Sequence, residues 1–179
     1  DLKREMNQLD NTQQAIKILL NSLYGALGNK YFRYFDIRIA EGITLSGQLS
    51  IRWAEKYMNL AMNKIMNTTA IDYVIYMDTD SLYLNMNPLV KQVKPADPVA
   101  FLDKACDQKF EKVLEDAYAI LFNQQNAFKN TMAMKREAIA NKGIWTAKKR
   151  YILNVHDSEG VAYAKPKLKI MGLEAVKSS

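Results

Sequence analysis

Cysteine and histidine are almost absent from this chain of 179 residues, with one of each. A single cysteine, Cys106, excludes an internal disulfide and fits a reducing, cytoplasmic setting. A single histidine, His156, has no second metal-type neighbour in sequence and reads as a strand or turn residue. Cys106 falls at helical spacing among apolar residues, and no His or Asn forms a partner motif for it. It therefore reads as a small core residue and not as a nucleophile. No apolar run is long enough to span a bilayer, so no membrane partner is expected, and no signal peptide is evident. There is no internal repeat and no low-complexity tract. The first residue is Asp rather than Met, so the chain is expected to be a fragment of a longer one.

What the chain does have is ample apolar content, 49% of residues, and a net charge of +6 placed unevenly. Residues 1–69 carry nine basic and six acidic side chains, residues 70–128 five and nine, and residues 129–179 eleven and four. An acidic middle is followed by a basic third. A basic third is an electrostatic footprint for a polyanion, although a solvated basic face has the same composition.

The acidic middle holds the most informative stretch, YVIYMDTDSLYL from Tyr73 to Leu84. Two β-branched and aromatic runs flank Asp78-Thr79-Asp80, which predicts two strands and a hairpin tip. Carboxylates two residues apart share a face if the backbone there is extended. Like charges held close repel unless a cation or proton lies between them, so a divalent metal site of hard oxygen ligands is one reading. Ordinary turn chemistry is the other, since Asp and Thr both favour turns. An EF-hand loop is excluded. Counted from Asp78, position six is Tyr83 rather than Gly and position twelve is Leu89 rather than Glu.

Around this stretch the pattern is mostly helical. Ile16, Leu20, Leu23 and Leu27 form one stripe of a helix over about 5–27, with Lys17, Asn21 and Tyr24 forming the adjacent stripe. By spacing alone, Lys17 is solvated and Tyr24 is core edge. YFRYF (31–35) predicts a short strand or buried loop. A long scaffold helix is expected over about 38–67. Its apolar face would be Ala54, Tyr57, Met58, Ala61 and Ile65, and a small-residue line of Ile43, Gly47, Ser50 and Ala54 would suit close approach to a sheet. Trp53 reads as packing. A Pro-punctuated loop is expected from Asn87 to Pro98, then a helix capped by Asp97 with Pro98 at its first position. Leu102, Cys106, Phe110, Val113, Ala117 and Ile120 would be its buried stripe. Past Asn130 the pattern turns to strands, with turns expected at Lys142-Gly143 and at Asp157–Gly160. Tyr151, Leu153 and Val155 would share one side.

Three motifs, in order, carry a resemblance. They are KxxxNSxYG (Lys17, Asn21, Ser22, Tyr24, Gly25), YxDTDS (Tyr76–Ser81) and KKRY (Lys148–Tyr151). Together they resemble the family B DNA polymerases. The wider wording, NSLYGALGN, REAIA and KPKLKIMGLE, is most similar to the T-even-like phage members of that family. The resemblance covers nearly the whole chain and implies an α+β fold: an antiparallel palm-type sheet carrying the carboxylate hairpin, backed by two long helices. It implies the end of the fingers helix at 1–28, the C-terminal part of the palm at 29–164 and the start of the palm-to-thumb connection at 165–179. It further implies template-directed nucleotidyl transfer with two Mg²⁺ ions, or Mn²⁺, held by Asp80 and Asp78. Lys17 would meet the triphosphate of an incoming deoxynucleotide, and Asn21 and Tyr24 would line the nascent base pair. Lys148, Lys149, Arg150 and Tyr151 would lie along primer–template DNA. Glu137, in the REAIA string, would support the metal site without ligating. Other implied partners are the rest of the polymerase chain and a sliding clamp acting through it, in the host cytoplasm if phage-encoded.

One departure stands out. The family takes another essential carboxylate from an upstream DxxSLYP-type strand, and no such string occurs here. The chain alone is therefore expected to be inactive. A non-catalytic nucleic-acid-binding module of polymerase-like fold is the alternative reading, and a core fragment whose acidic pair is turn chemistry is a third.

Overall fold

The computed structural model describes residues 2–172; the expected connection over 165–179 lies partly outside them. The chain divides after Gln48 into two compact units.

The first unit contains α1 (Leu2–Leu27) and the opening turns of α2 (Ile37–Met66). Asp36 caps α2. Its carboxylate accepts the Arg38 backbone N–H at 3.0 Å and the Arg38 guanidinium at 2.7 Å, and that guanidinium holds the carboxyl below its usual range. Residues 31–35 form neither a strand nor a buried loop. They make successive turns, Phe32 N–H to Asn29 C=O and Phe35 N–H to Phe32 C=O, and Tyr31 is 85% exposed. The apolar stripe of α1 is likewise uncovered among the described residues, with Ile16, Leu20 and Leu23 all exposed.

The second unit begins with the remainder of α2 and continues through β1 (Val74–Asp78), β2 (Ser81–Leu84), α3 (Asn87–Val93), α4 (Pro98–Ala105), a π-helical turn (Cys106–Phe110) and α5 (Glu111–Gln124). It ends in β3 (Ala138–Ala147), β4 (Arg150–Ser158) and β5 (Val161–Met171). The fold is α+β, as expected. Its antiparallel strands form two sheets rather than one, the β1–β2 hairpin and the three-stranded β3–β4–β5. No helix among the described residues is long and apolar enough to cross a membrane.

The main core lies between α2 and α5. Ala54, Met58 and Met62, at i, i+4 and i+8 on α2, are fully buried against Tyr73, Val74, Leu89, Phe110, Leu114, Tyr118 and Leu121. Trp53 packs at its edge and donates its indole N–H to the Ala117 carbonyl at 2.8 Å.

Asp97 caps α4 as expected, accepting the N–H of Val99 and Ala100. The continuation differs. The π turn inserts a residue into the helical repeat, so the buried face of α5 is Leu114, Ala117, Tyr118 and Leu121, and Ile120 is exposed. The segment expected as a loop from Asn87 contains α3, because Pro88 sits in its first turn, where a missing N–H costs nothing.

In the three-stranded sheet, Tyr151, Leu153 and Val155 form the buried side of β4, as their alternation predicts. Lys142-Gly143 is not a turn but part of β3, which bends at irregularities in its register with β4. Gly143 leaves room for a ring: a Cβ there would stand 2.5 Å from Trp145 and 2.8 Å from Leu153. The β4–β5 turn is Glu159-Gly160, with φ of +52° and +85°.

Candidate functional site

The hairpin is held from both faces. Val74, Met77, Leu82 and Leu84 face the helical core, while Tyr76 and Tyr83 face the three-stranded sheet. A register irregularity between Val74 and Tyr76 leaves Ile75 exposed and allows this division. Two asparagines one helical turn apart on α2 secure the approach to β1. Asn59 Oδ1 accepts the N–H of Tyr73 at 2.8 Å, and Asn59 Nδ2 donates to Asp72 at 2.8 Å. Asn63 Nδ2 donates to the Ile71 carbonyl at 2.7 Å, and Asn63 Oδ1 accepts the Ile71 N–H at 3.1 Å.

At the tip, Asp78 pairs with Ser81 and only Thr79 and Asp80 form the turn. Thr79 is left-handed, φ +49°, so the backbone between the two carboxylates is a tight turn and not an extended strand. Thr79 Oγ1 donates to Asp78 Oδ1 at 3.1 Å, and Ser81 Oγ donates to the Asp78 carbonyl at 3.2 Å. Asp78 is half-buried and Asp80 exposed. Among the described residues no three His, Cys, Asp or Glu side chains form a metal-holding group. Two carboxylates on a rigid tip still suit Mg²⁺, which is usually held by one or two carboxylates, with water and substrate phosphates completing its shell.

The KKRY motif lies in the same unit. Lys148 and Lys149 are the two-residue turn between β3 and β4, Lys149 at φ +61°, and Arg150 and Tyr151 begin β4. Lys148, Lys149 and Arg150 are exposed. Tyr151 is buried, and its hydroxyl receives the Tyr83 hydroxyl at 3.0 Å. The Tyr76 hydroxyl accepts the Lys149 backbone N–H at 2.8 Å. Burial, and then the bond to Tyr151, raise the Tyr83 pKa above its ordinary value. Glu137 is ion-paired with Lys169 of β5, a bond that raises the lysine pKa.

Lys17, Asn21 and Tyr24 share one exposed face of α1 in the first unit, and the Tyr24 and Thr44 hydroxyls share a hydrogen bond of 2.8 Å. Burial pushes the Cys106 thiol up to about 11, which suits a core residue. Four contributors carry no local sequence signal: Asn59, Asn63, Trp145 and Arg136. Arg136 spans Asp103 at 2.6 Å and Asp157 at 2.5 Å, with the Arg136 and Asp157 side chains largely buried and that of Asp103 half exposed. Each depends on a partner outside its own helix, strand or loop. Tyr76 and Tyr83 could have been found from their alternation with Met77 and Leu82.

Residues 2–178 match the sequence profile of DNA polymerase family B. The chain is 45% identical to the DNA-directed DNA polymerase of Escherichia phage RB69, over 91% of this chain and 20% of that protein. It is 41% identical to the DNA-directed DNA polymerase of Enterobacteria phage T4, over 96% of this chain and 21% of that protein. It is 28% identical to DNA polymerase 1 of Pyrococcus abyssi, over 97% of this chain and 18% of that protein. The chain thus spans about a fifth of the length of these relatives. A carboxylate hairpin latched to a basic turn, three motifs in order and this extent of identity converge on one statement: the chain belongs to DNA polymerase family B.

Proposed function

We propose that this chain is the C-terminal part of the palm, with the end of the fingers, of a DNA-directed DNA polymerase that adds deoxynucleotides to a primer end. The observation that carries the reading is the joining of Asp78 and Asp80, on one hairpin, to the Lys148–Arg150 turn through two tyrosine hydroxyls. Asp80 and Asp78 would hold two Mg²⁺ ions, or Mn²⁺, which activate the primer hydroxyl and stabilise the leaving pyrophosphate when bound. Lys148, Lys149 and Arg150 would grip primer–template phosphates. Such contacts position a duplex without reading its sequence, as copying any template requires. Lys17 would meet the triphosphate, with Asn21 and Tyr24 beside the new base pair. Glu137, tied to Lys169, would support the hairpin's surroundings. The work would be done in the cytoplasm, together with the rest of the polymerase and a sliding clamp.

The test is single-turnover incorporation by the complete polypeptide carrying these residues. Asp80→Asn keeps size and removes charge, so the chemical step should fall at least about a thousandfold, at ~1.4 kcal/mol per factor of ten. Thermal stability should stay level or rise, since repulsion with Asp78 is relieved. The 179-residue chain alone should not extend a primer, because it contains no DxxSLYP-type strand. Incorporation within tenfold of the parent would make Asp78-Thr79-Asp80 a plain turn and favour the core-fragment reading, with the metal site elsewhere in the polypeptide.

A further inference from the structure

Tyr76 and Tyr83 are the residues through which the carboxylate hairpin meets the three-stranded sheet. Their rings stand against Trp145 and Tyr151 with centroids 5.6–6.1 Å apart. Phenylalanine would fill this cluster equally well, so the hydroxyls have a separate task. Tyr76 Oη accepts the Lys149 N–H, and Tyr83 Oη donates to Tyr151 Oη. The first bond fixes the basic turn itself, and the second fixes the first buried residue of β4. The turn is confined from another side too. Gly172 packs so closely that a Cβ on it would stand 2.1 Å from the Lys149 carbonyl, and its φ of +63° favours glycine. With only two residues between Ala147 and Arg150, the turn has little freedom of its own.

We propose that Tyr76 and Tyr83 are positioning residues that lock the Asp78–Asp80 tip to the Lys148–Arg150 turn, so that a duplex gripped by the turn presents its primer end to the carboxylates. The inference rests on the polymerase reading above. Neither tyrosine touches the reacting atoms; each acts through the turn. The basic side chains supply affinity whether or not the turn is locked, whereas the rate depends on where the held primer end stands. Misplacement by about 1 Å costs on the order of a hundredfold in rate. The two hydroxyls should therefore matter for rate and very little for affinity.

The experiment uses the complete polypeptide with Tyr76→Phe, Tyr83→Phe and the double variant, compared with Trp53→Phe, which removes a hydrogen bond and part of the ring packing on the helical side of the core. Maximum single-turnover rate, primer–template Kd and thermal midpoint are measured on each. The double variant should lose at least about tenfold in maximum rate while its Kd changes less than about threefold. Trp53→Phe should lower the thermal midpoint and leave the rate at the parent value. A double variant with parental rate overturns the proposal, as does a rate loss that Trp53→Phe reproduces at equal loss of stability. If the unmutated polypeptide incorporates nothing, the polymerase reading itself fails and the inference falls with it.

Discussion

Asn59 Oδ1, on α2, accepts the backbone N–H of Tyr73 at 2.8 Å and that of Val74 at 3.3 Å, just where the chain enters the carboxylate hairpin. A helix side chain thus takes the place of a neighbouring strand for the Tyr73 donor beside the core, while the Val74 N–H also has the Asp72 carboxylate at 3.0 Å. Asn59→Ala leaves the N–H of buried Tyr73 unsatisfied, which costs about 1–3 kcal/mol. Urea unfolding should show a lower midpoint with an unchanged slope. An unchanged midpoint would mean that water replaces Asn59 without penalty.

The alkaline limb of stability should carry the mark of Cys106. Burial raises its pKa from 9.0 to about 11, so the fold favours the neutral thiol. As pH rises past 9 the unfolded chain ionises first. Stability from this group is complete below pH 9 and is lost between 9 and about 11. Tyr83, raised in the same sense, begins to contribute to the loss only above its ordinary value of 10. Iodoacetamide alkylation of the native chain should therefore rise with a midpoint near 11, and Cys106→Ala should lose less stability between pH 8.5 and 10.5 than the parent. A native alkylation midpoint near 9 would contradict the burial argument.

Glu159 occupies the first position of a two-residue hairpin turn at φ +52°, followed by Gly160 at φ +85°. Both positive angles suit an Asn-Gly pair, and glutamate is a poor fit in the left-handed region. Glu159→Asn should stabilise the chain by roughly 0.5–1 kcal/mol, read as a higher thermal midpoint. A lower midpoint would show that the Glu159 carboxylate, close to Lys169, outweighs the backbone strain.

Local signals were enough for elements whose cause is local. The Asp97-Pro98 start of α4, the hairpin about Thr79-Asp80, the buried side of β4 and the turn before Val161 are legible because capping, alternation and turn chemistry act over a few residues. The α5 stripe was misplaced from Leu114 to Val113, and from Leu121 to Ile120, because a π turn changes the phase of a helix without a distinctive residue pattern. Gly143 imitates a turn in sequence; its small size instead makes room for the Trp145 ring, a neighbour two residues on whose position is set by the sheet. The carboxylates and the basic turn were legible as motifs. Their connection was not, because the Tyr76–Lys149 and Tyr83–Tyr151 bonds span 73 and 68 residues.

The basic turn leads to the last prediction. Lys148, Lys149 and Arg150 are exposed at one end of a β-hairpin, so their charges are available to a polyanion without desolvating the core. If each neutralises one phosphate, each adds about 0.9 to the slope of log K against log salt. Replacing all three by Ala should flatten that slope by roughly 2–3 for duplex binding. Lys91, Lys109 and Lys112 are also exposed, but they lie in the acidic middle of the chain. Changing them to Ala removes the same charge from the molecule as a whole. If net charge alone drew the duplex, both triple variants would flatten the slope equally. Local contact predicts that only the turn variant does so. Binding titrations over a range of salt concentrations decide between them, and a slope unchanged in the turn variant would show that Lys148–Arg150 is only a solvated basic face.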